Sequence, residues 1–173
     1  MEEPGQKHEP VLLEPLLDAL RYGLEAILVD ATIGQGGHAY AMSKRLNDKG
    51  LLIGLDVDAS SLETARNRLT GLNCRVELRR ANFGYLDDVL QELGVKRVSV
   101  ILADLGFCSA QMADRDRGFS FQEDGPLDMR LDNRLEKTAA DLVNGLPEKE
   151  LADLIYEYGE ERKSRRIAKA IVT

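Results

Sequence analysis

The ten residues from Val29 to His38, VDATIGQGGH, constrain the chain more than any other stretch. An apolar run, Ala26-Ile27-Leu28-Val29, ends in the acid Asp30 and then meets Gly34, Gly36 and Gly37. A helix-compatible segment follows at once, with Ala39, Met42 and Leu46 on one face. Strand, glycine turn and helix in that order make a seat for a nucleotide cofactor. Glycine accepts positive φ and close approach, and the first N–H groups of the helix point at the ligand. The spacing Gly34-x-Gly36-x-x-Ala39 fits the G-x-G-x-x-G/A fingerprint, which alone is weak. Asp30 before the turn and Asp56 about twenty residues beyond it strengthen the reading.

The same rhythm repeats. Leu51 to Leu55 is apolar on both faces, as an inner parallel strand should be, and ends at Asp56. Ser60 or Ser61 caps a helix whose buried stripe is Leu62, Ala65 and Leu69. A third strand within Cys74 to Arg80 alternates apolar and charged residues, which places it nearer the sheet edge. The loop Ala81-Asn82-Phe83-Gly84 leads to a helix marked by Leu86, Val89, Leu90 and Leu93, and a fourth strand, Val98 to Ala103, ends in Asp104. Four such units predict a parallel, doubly wound α/β sheet with ligands bound beyond the carboxyl ends of its strands. Asp30, Asp56, Asp104 and the Asn82-Phe83 pair should therefore share one rim. Ahead of the first strand, Leu13, Leu16, Leu17 and Leu20 predict a short packing helix with Pro15 in its first turn. His8 precedes it and reads on its own as a solvated side chain.

Beyond Asp104 the periodicity stops. Leu105 to Asp132 is rich in turn formers and charge, and a long irregular stretch in a compact domain is commonly functional. From Thr138, which forms a capping-box pattern with Asp141, the chain turns helical. Leu151, Leu154, Ile155 and Tyr158 make one stripe. A last helix from Glu160 turns Ile167, Ala168 and Ile171 inward and Arg162, Lys163, Arg165, Arg166 and Lys169 outward. Four parallel strands are few for this architecture, and the end at Thr173 reads as a cut.

Net charge is −7 over 173 residues, which argues against a general nucleic-acid-coating surface but leaves room for a local basic patch. Cys74 and Cys108 have neither metal-ligand nor disulfide-framework spacing, and no metal is expected. The charged start, MEEPGQKHEP, has no secretory pattern, and no apolar run reaches membrane-spanning length, so a cytoplasmic protein without a membrane partner is expected.

Asp30 also separates cofactor classes. A carboxylate ahead of the turn would meet the pyrophosphate of a dinucleotide, whereas the ammonium and sulfonium of S-adenosylmethionine attract acids. Asp56 would then accept from ribose hydroxyls, Phe83 would flank adenine, and Asp104 would approach the methionine end or the reacting amine. Taken singly, Asp30 and Asp56 read equally well as helix caps or solvated strand ends.

Several further strings are distinctive in combination: His8-x-Pro10-Val11-Leu12-Leu13, Asp30-Ala31-Thr32-x-Gly34-x-Gly36-Gly37-His38, Asp104-Leu105-Gly106, Arg117-Gly118-Phe119-Ser120-Phe121, Gly125-Pro126-Leu127-Asp128-Met129-Arg130 and Tyr158-Gly159-Glu160-Glu161. With these the chain resembles the RsmH (MraW) family of ribosomal RNA small-subunit methyltransferases, from His8 to Val172. The resemblance implies a Rossmann-like core using S-adenosylmethionine to methylate the N4 amine of a decoding-centre cytidine in 16S ribosomal RNA. It implies cofactor contacts at Gly36, Gly37, His38, Asp56 and Phe83, with Asp104 and Gln111 closing the site. It further implies that residues 1–112 are the first part of the core and 113–173 the start of an inserted helical domain for substrate recognition. The later core strands of that family, and a motif rich in His, Ser and Glu, are absent here, so cofactor binding is expected to be weak or absent in this short form. Phe107-Cys108-Ser109 stands where the family reads Val-Ser-Ser, and Ala113 and Leu131 replace its Asp and Met.

For the chemistry, the cytosine amine is a poor nucleophile, and orienting it in line with the methyl–sulfonium bond supplies much of the barrier reduction. Asp104, accepting an N–H bond from that amine, is the candidate catalytic group, with cofactor binding alone as its other reading. The base must leave its stack. Phe119 or Phe121 is placed to stack on it, with core packing the alternative for each. Arg115, Arg117 and the basic face of the last helix would meet phosphates of the small ribosomal subunit or simply be solvated. A homodimer is compatible with the sequence. Rival readings are cytosine C5 methylation through Cys108 as nucleophile, an NAD-linked oxidoreductase, and a non-catalytic RNA-binding or assembly module.

Overall fold

The structure, a computed structural model, describes residues 10–122 and 124–173. His8 and the rest of residues 1–9 lie outside them. The chain divides into two compact units, one ending at Gly106 and the other beginning at Phe107.

The first unit is a four-stranded parallel sheet in the order β3-β2-β1-β4. Its strands are β1 (Ile27–Asp30), β2 (Leu51–Asp56), β3 (Arg75–Arg80) and β4 (Val100–Leu102). Registers run from Ile27 opposite Leu51, from Leu51 opposite Arg75, and from Leu28 opposite Val100. Four helices flank the sheet: α1 (Leu13–Ala19), α2 (Gly37–Ser43), α3 (Ala59–Arg68) and α4 (Leu86–Glu92). Alternation along the inner strands sends side chains to two cores. Leu28 and Leu52 join Ala39 and Met42 of α2 and Leu62 and Ala65 of α3 on one face. Val29, Ile53 and Leu55 join Val89 of α4 on the other. Helices on both faces explain why β1 and β2 are apolar throughout, and β3, at the edge, is the strand with alternating charge.

Some expected boundaries move. β4 is shorter than Val98–Ala103 because only Val100 to Leu102 pair with β1. α2 ends at Ser43, and Leu46 is buried in the turns that follow. The cap of α3 is Asp58 rather than a serine. Its carboxylate accepts from the Ser60 N–H and from the hydroxyls of Ser60 and Ser61, so both serines donate to the cap. The leucine stripe of α1 packs only in part, through Leu17 against the first core, with Leu20 just beyond the helix.

In the second unit the irregular stretch contains α5 (Ser109–Ala113) and a single 3₁₀ turn at Arg115–Arg117, and helices α6 (Ala139–Gly145), α7 (Glu148–Gly159) and α8 (Ser164–Val172) follow. The strings Arg117–Phe121 and Gly125–Arg130 lie against each other. Met129 N–H donates to the Arg117 carbonyl at 2.9 Å, and Gly118, at φ 66°, sits so close to Pro126 that a Cβ would stand 1.9 Å from its carbonyl oxygen. Arg130 grips Asp128 through two nitrogens at 2.8 Å each, holding that carboxyl at about 2. Thr138 and Asp141 form the expected capping box on α6. α8 starts at Ser164 rather than Glu160, because Glu160 takes a left-handed conformation (φ 52°) that ends α7. Ala168 is fully buried against Leu151 and Ala152, but Ile167 and Ile171 are exposed at 38% and 44%, which corrects their inward assignment. Tyr158 is likewise exposed.

Candidate functional site

The glycine turn is sewn to the end of β2 residue by residue. Ile33 N–H donates to the Leu55 carbonyl at 2.8 Å, and Gly34 N–H donates to Asp56 Oδ2 at 2.9 Å. The other Asp56 oxygen accepts from Asp58 N–H, also at 2.9 Å. One carboxylate thus fixes both loops that border the rim, and burial pushes it up while these N–H groups pull it down. Gly36, at φ 77°, is the residue before α2 and presents the turn that Gly37 and His38 continue.

Asp30 is placed differently from an open strand end. It is 2% exposed, beneath the turn, and accepts from Thr32 N–H at 3.2 Å. Desolvation raises its carboxyl from 3.8 to about 6, against the pull of that N–H and of His38, with Asp56 and Asp104 pushing the same way as burial. Thr32, part of the turn string but assigned no role from it, bridges the rim: its Oγ1 accepts from Asp104 N–H at 2.7 Å. That contact fixes the backbone where β4 ends, and a Thr following Asp-Ala at a strand end was the one available signal. His38 lies between Val11 and Asp104, with Nε2 2.9 Å from the Val11 carbonyl and Nδ1 3.9 Å from Asp104 Oδ2.

The first unit therefore brings Gly36, Gly37, His38, Asp56 and Asp104 to one rim. Phe83 stands past the end of β3 in a 3₁₀ turn capped by Asn82, half exposed. Gln111 belongs to the second unit, where it is buried and its Oε1 accepts from Cys108 N–H at 3.1 Å. In that unit Phe119 is buried against Phe107, ring centres 4.9 Å apart, while Phe121 is 97% exposed. Of the two aromatics considered for stacking, Phe119 is core and Phe121 is open to solvent. Among the described residues no helix is long and apolar enough to cross a membrane, and no cluster of His, Cys, Asp and Glu has the makings of a metal site.

Parallel strands in this order, with a glycine turn after β1 and an acid ending β2, define a Rossmann-like α/β protein whose rim suits a nucleotide-type cofactor. Comparison with known proteins narrows the class. The chain belongs to the MraW methylase family, which it matches over residues 5–173. It is similar to the ribosomal RNA small subunit methyltransferase H of Syntrophobacter fumaroxidans, at 47% identity over 98% of this chain and 53% of that protein. Proteins of the same name from Clostridioides difficile and Lachnospira eligens are 42% and 46% identical, again over 53% of their lengths. The chain spans about half the length of these curated relatives.

Proposed function

We propose that the chain supplies the cofactor side of an S-adenosylmethionine-dependent methyltransferase acting on the N4 amine of a cytidine in 16S ribosomal RNA of the small subunit. The observation that carries the reading is the Asp56 carboxylate, tied to Gly34 and Asp58 at the rim. A carboxylate offers about four acceptor positions, more than these N–H groups use, so it has capacity for ribose hydroxyls. Gly36, Gly37 and His38 would hold the methionine end and Phe83 would cover the adenine, with Gln111 a further cofactor contact on the family resemblance alone. Residues 1–112 are read as the first part of the core and 113–173 as an inserted, mainly helical domain that meets the RNA. When bound, the cofactor supplies an electrophilic methyl group. The protein's part is to orient the amine in line with it and to accept the N–H bond that localises the nitrogen lone pair, for which Asp104 is the candidate.

Calorimetry of S-adenosylhomocysteine and NAD, each with this chain and with a C-terminally extended form, tests the cofactor class. The reading expects S-adenosylhomocysteine binding that strengthens in the extended form. Binding of NAD alone contradicts it. Methyl transfer to small-subunit RNA by the extended form then separates an enzyme from a passive RNA-binding module.

A further inference from the structure

His38 makes two contacts that seating a cofactor does not require. A carbonyl only accepts, so the 2.9 Å approach of Nε2 to the Val11 oxygen fixes a proton on Nε2. Val11 is held there because Pro10 lies on Gly37, where a Cβ would come within 2.5 Å of the proline Cγ. In the neutral ring Nδ1 then carries a lone pair, and it faces Asp104 Oδ2 at 3.9 Å. Two acceptors turned toward each other become a favourable pair only when a proton lies between them. The ring side chain is 13% exposed and that of Asp104 58%, so the carboxylate is the member that meets solvent.

We propose that His38 is a positioning residue that steers the Asp104 carboxylate onto the reacting amine and takes, at Nδ1, the proton the amine gives up. The proposal rests on the methyl-transfer reading above. The amine's electron pair forms the new carbon–nitrogen bond while the carbon–sulfur bond breaks, its pair remaining on sulfur. The nitrogen is left positively charged, and one of its N–H protons passes to an Asp104 oxygen and on to His38 Nδ1, from which solvent removes it after product leaves. The ring's Nε2–H bond to Val11 persists throughout. Of the other charged groups nearby, Asp30 of β1 interacts with the ring from beneath the turn, and Arg68 of α3 reaches the Gln35 carbonyl beside Gly37.

The chain has two histidines, so nitrogen-15 spectra of the His8→Gln chain report His38 alone. The neutral ring is expected as the Nε2–H tautomer. A neutral ring protonated at Nδ1 overturns the proposal. Gly37→Ala, which displaces Pro10, provides a check independent of Asp104: mixed tautomers are expected, and an unchanged Nε2–H form overturns the tether. These readings need neither cofactor nor RNA, so they stand apart from any failure of methyl transfer. In the extended form, His38→Gln keeps an amide near the Nε2 position but has nothing at Nδ1. Its kcat should fall about tenfold or more, beyond any rise in KM for the methyl donor from a lost cofactor contact; a loss confined to KM overturns the proton role.

Discussion

Replacing Asp30 by Asn should make the protein more stable at neutral pH, although Asp30 sits at the centre of the candidate site. The side chain is 2% exposed, and burial holds its carboxyl at about 6 instead of 3.8. The folded form therefore keeps its proton where the unfolded chain has already lost it. Stability from this group is complete below pH 3.8, falls as pH rises toward about 6, and stays low above that. At ~1.4 kcal/mol per pH unit the gap amounts to about 3 kcal/mol above pH 6. Asn keeps an oxygen to accept from Thr32 N–H, the contact Asp30 makes at 3.2 Å, and carries no charge at any pH. Urea unfolding of both proteins between pH 4 and 8, with m held common, should show little pH-dependent difference near pH 4 and an advantage for Asp30→Asn that grows to about pH 6 and stays level to pH 8. An offset that is constant across this range, or a less stable variant at pH 8, would refute the burial argument.

Three further outcomes follow from particular residues. Gly118→Ala places a Cβ 1.9 Å from the Pro126 carbonyl at a left-handed residue, so hydrogen exchange at Met129 N–H, bonded to Arg117, should lose its protection. Leu52→Ala empties a fully buried position of β2 and should cost roughly 2–5 kcal/mol in denaturant unfolding of the first unit. Cys108→Ser in the extended form should leave methyl transfer to cytidine largely intact, measured with radiolabelled methyl donor; total loss would instead favour covalent attack by that thiol at C5.

The sheet was legible because its inner strands carry the whole signal themselves. Ile27–Asp30 and Leu51–Asp56 are apolar on both faces, and each ends in an acid, so both the layer and the rim could be read without partners. β3 revealed its edge position by alternating charge. Elements set by pairing or local hydrogen bonding were less visible. β4 is as short as its register with β1, and the α3 cap falls on Asp58 because its carboxylate reaches three donors at once. The acids of the rim could be placed in sequence but not sorted by environment: Asp30 is buried beneath the turn, Asp56 ties two loops, and Asp104 stands half in solvent. No periodicity encodes that difference. The Thr32 hydroxyl and the Val11 carbonyl escaped notice for a related reason, since both act across long sequence separations, on Asp104 and His38. In α8 the helical spacing marked Ile167 and Ile171 as core along with Ala168, yet of these three Ala168 is the one buried, in a cluster with Leu151 and Ala152 of α7.

The acceptor atom separates N4 transfer from the rival chemistries. Small ribosomal subunits incubated with the C-terminally extended chain and isotopically labelled S-adenosylmethionine should yield labelled N4-methylcytidine on nucleoside mass spectrometry, and Asp104→Asn should sharply reduce it. Label in C5-methylcytidine, or none in any nucleoside while S-adenosylhomocysteine still binds, would contradict the account.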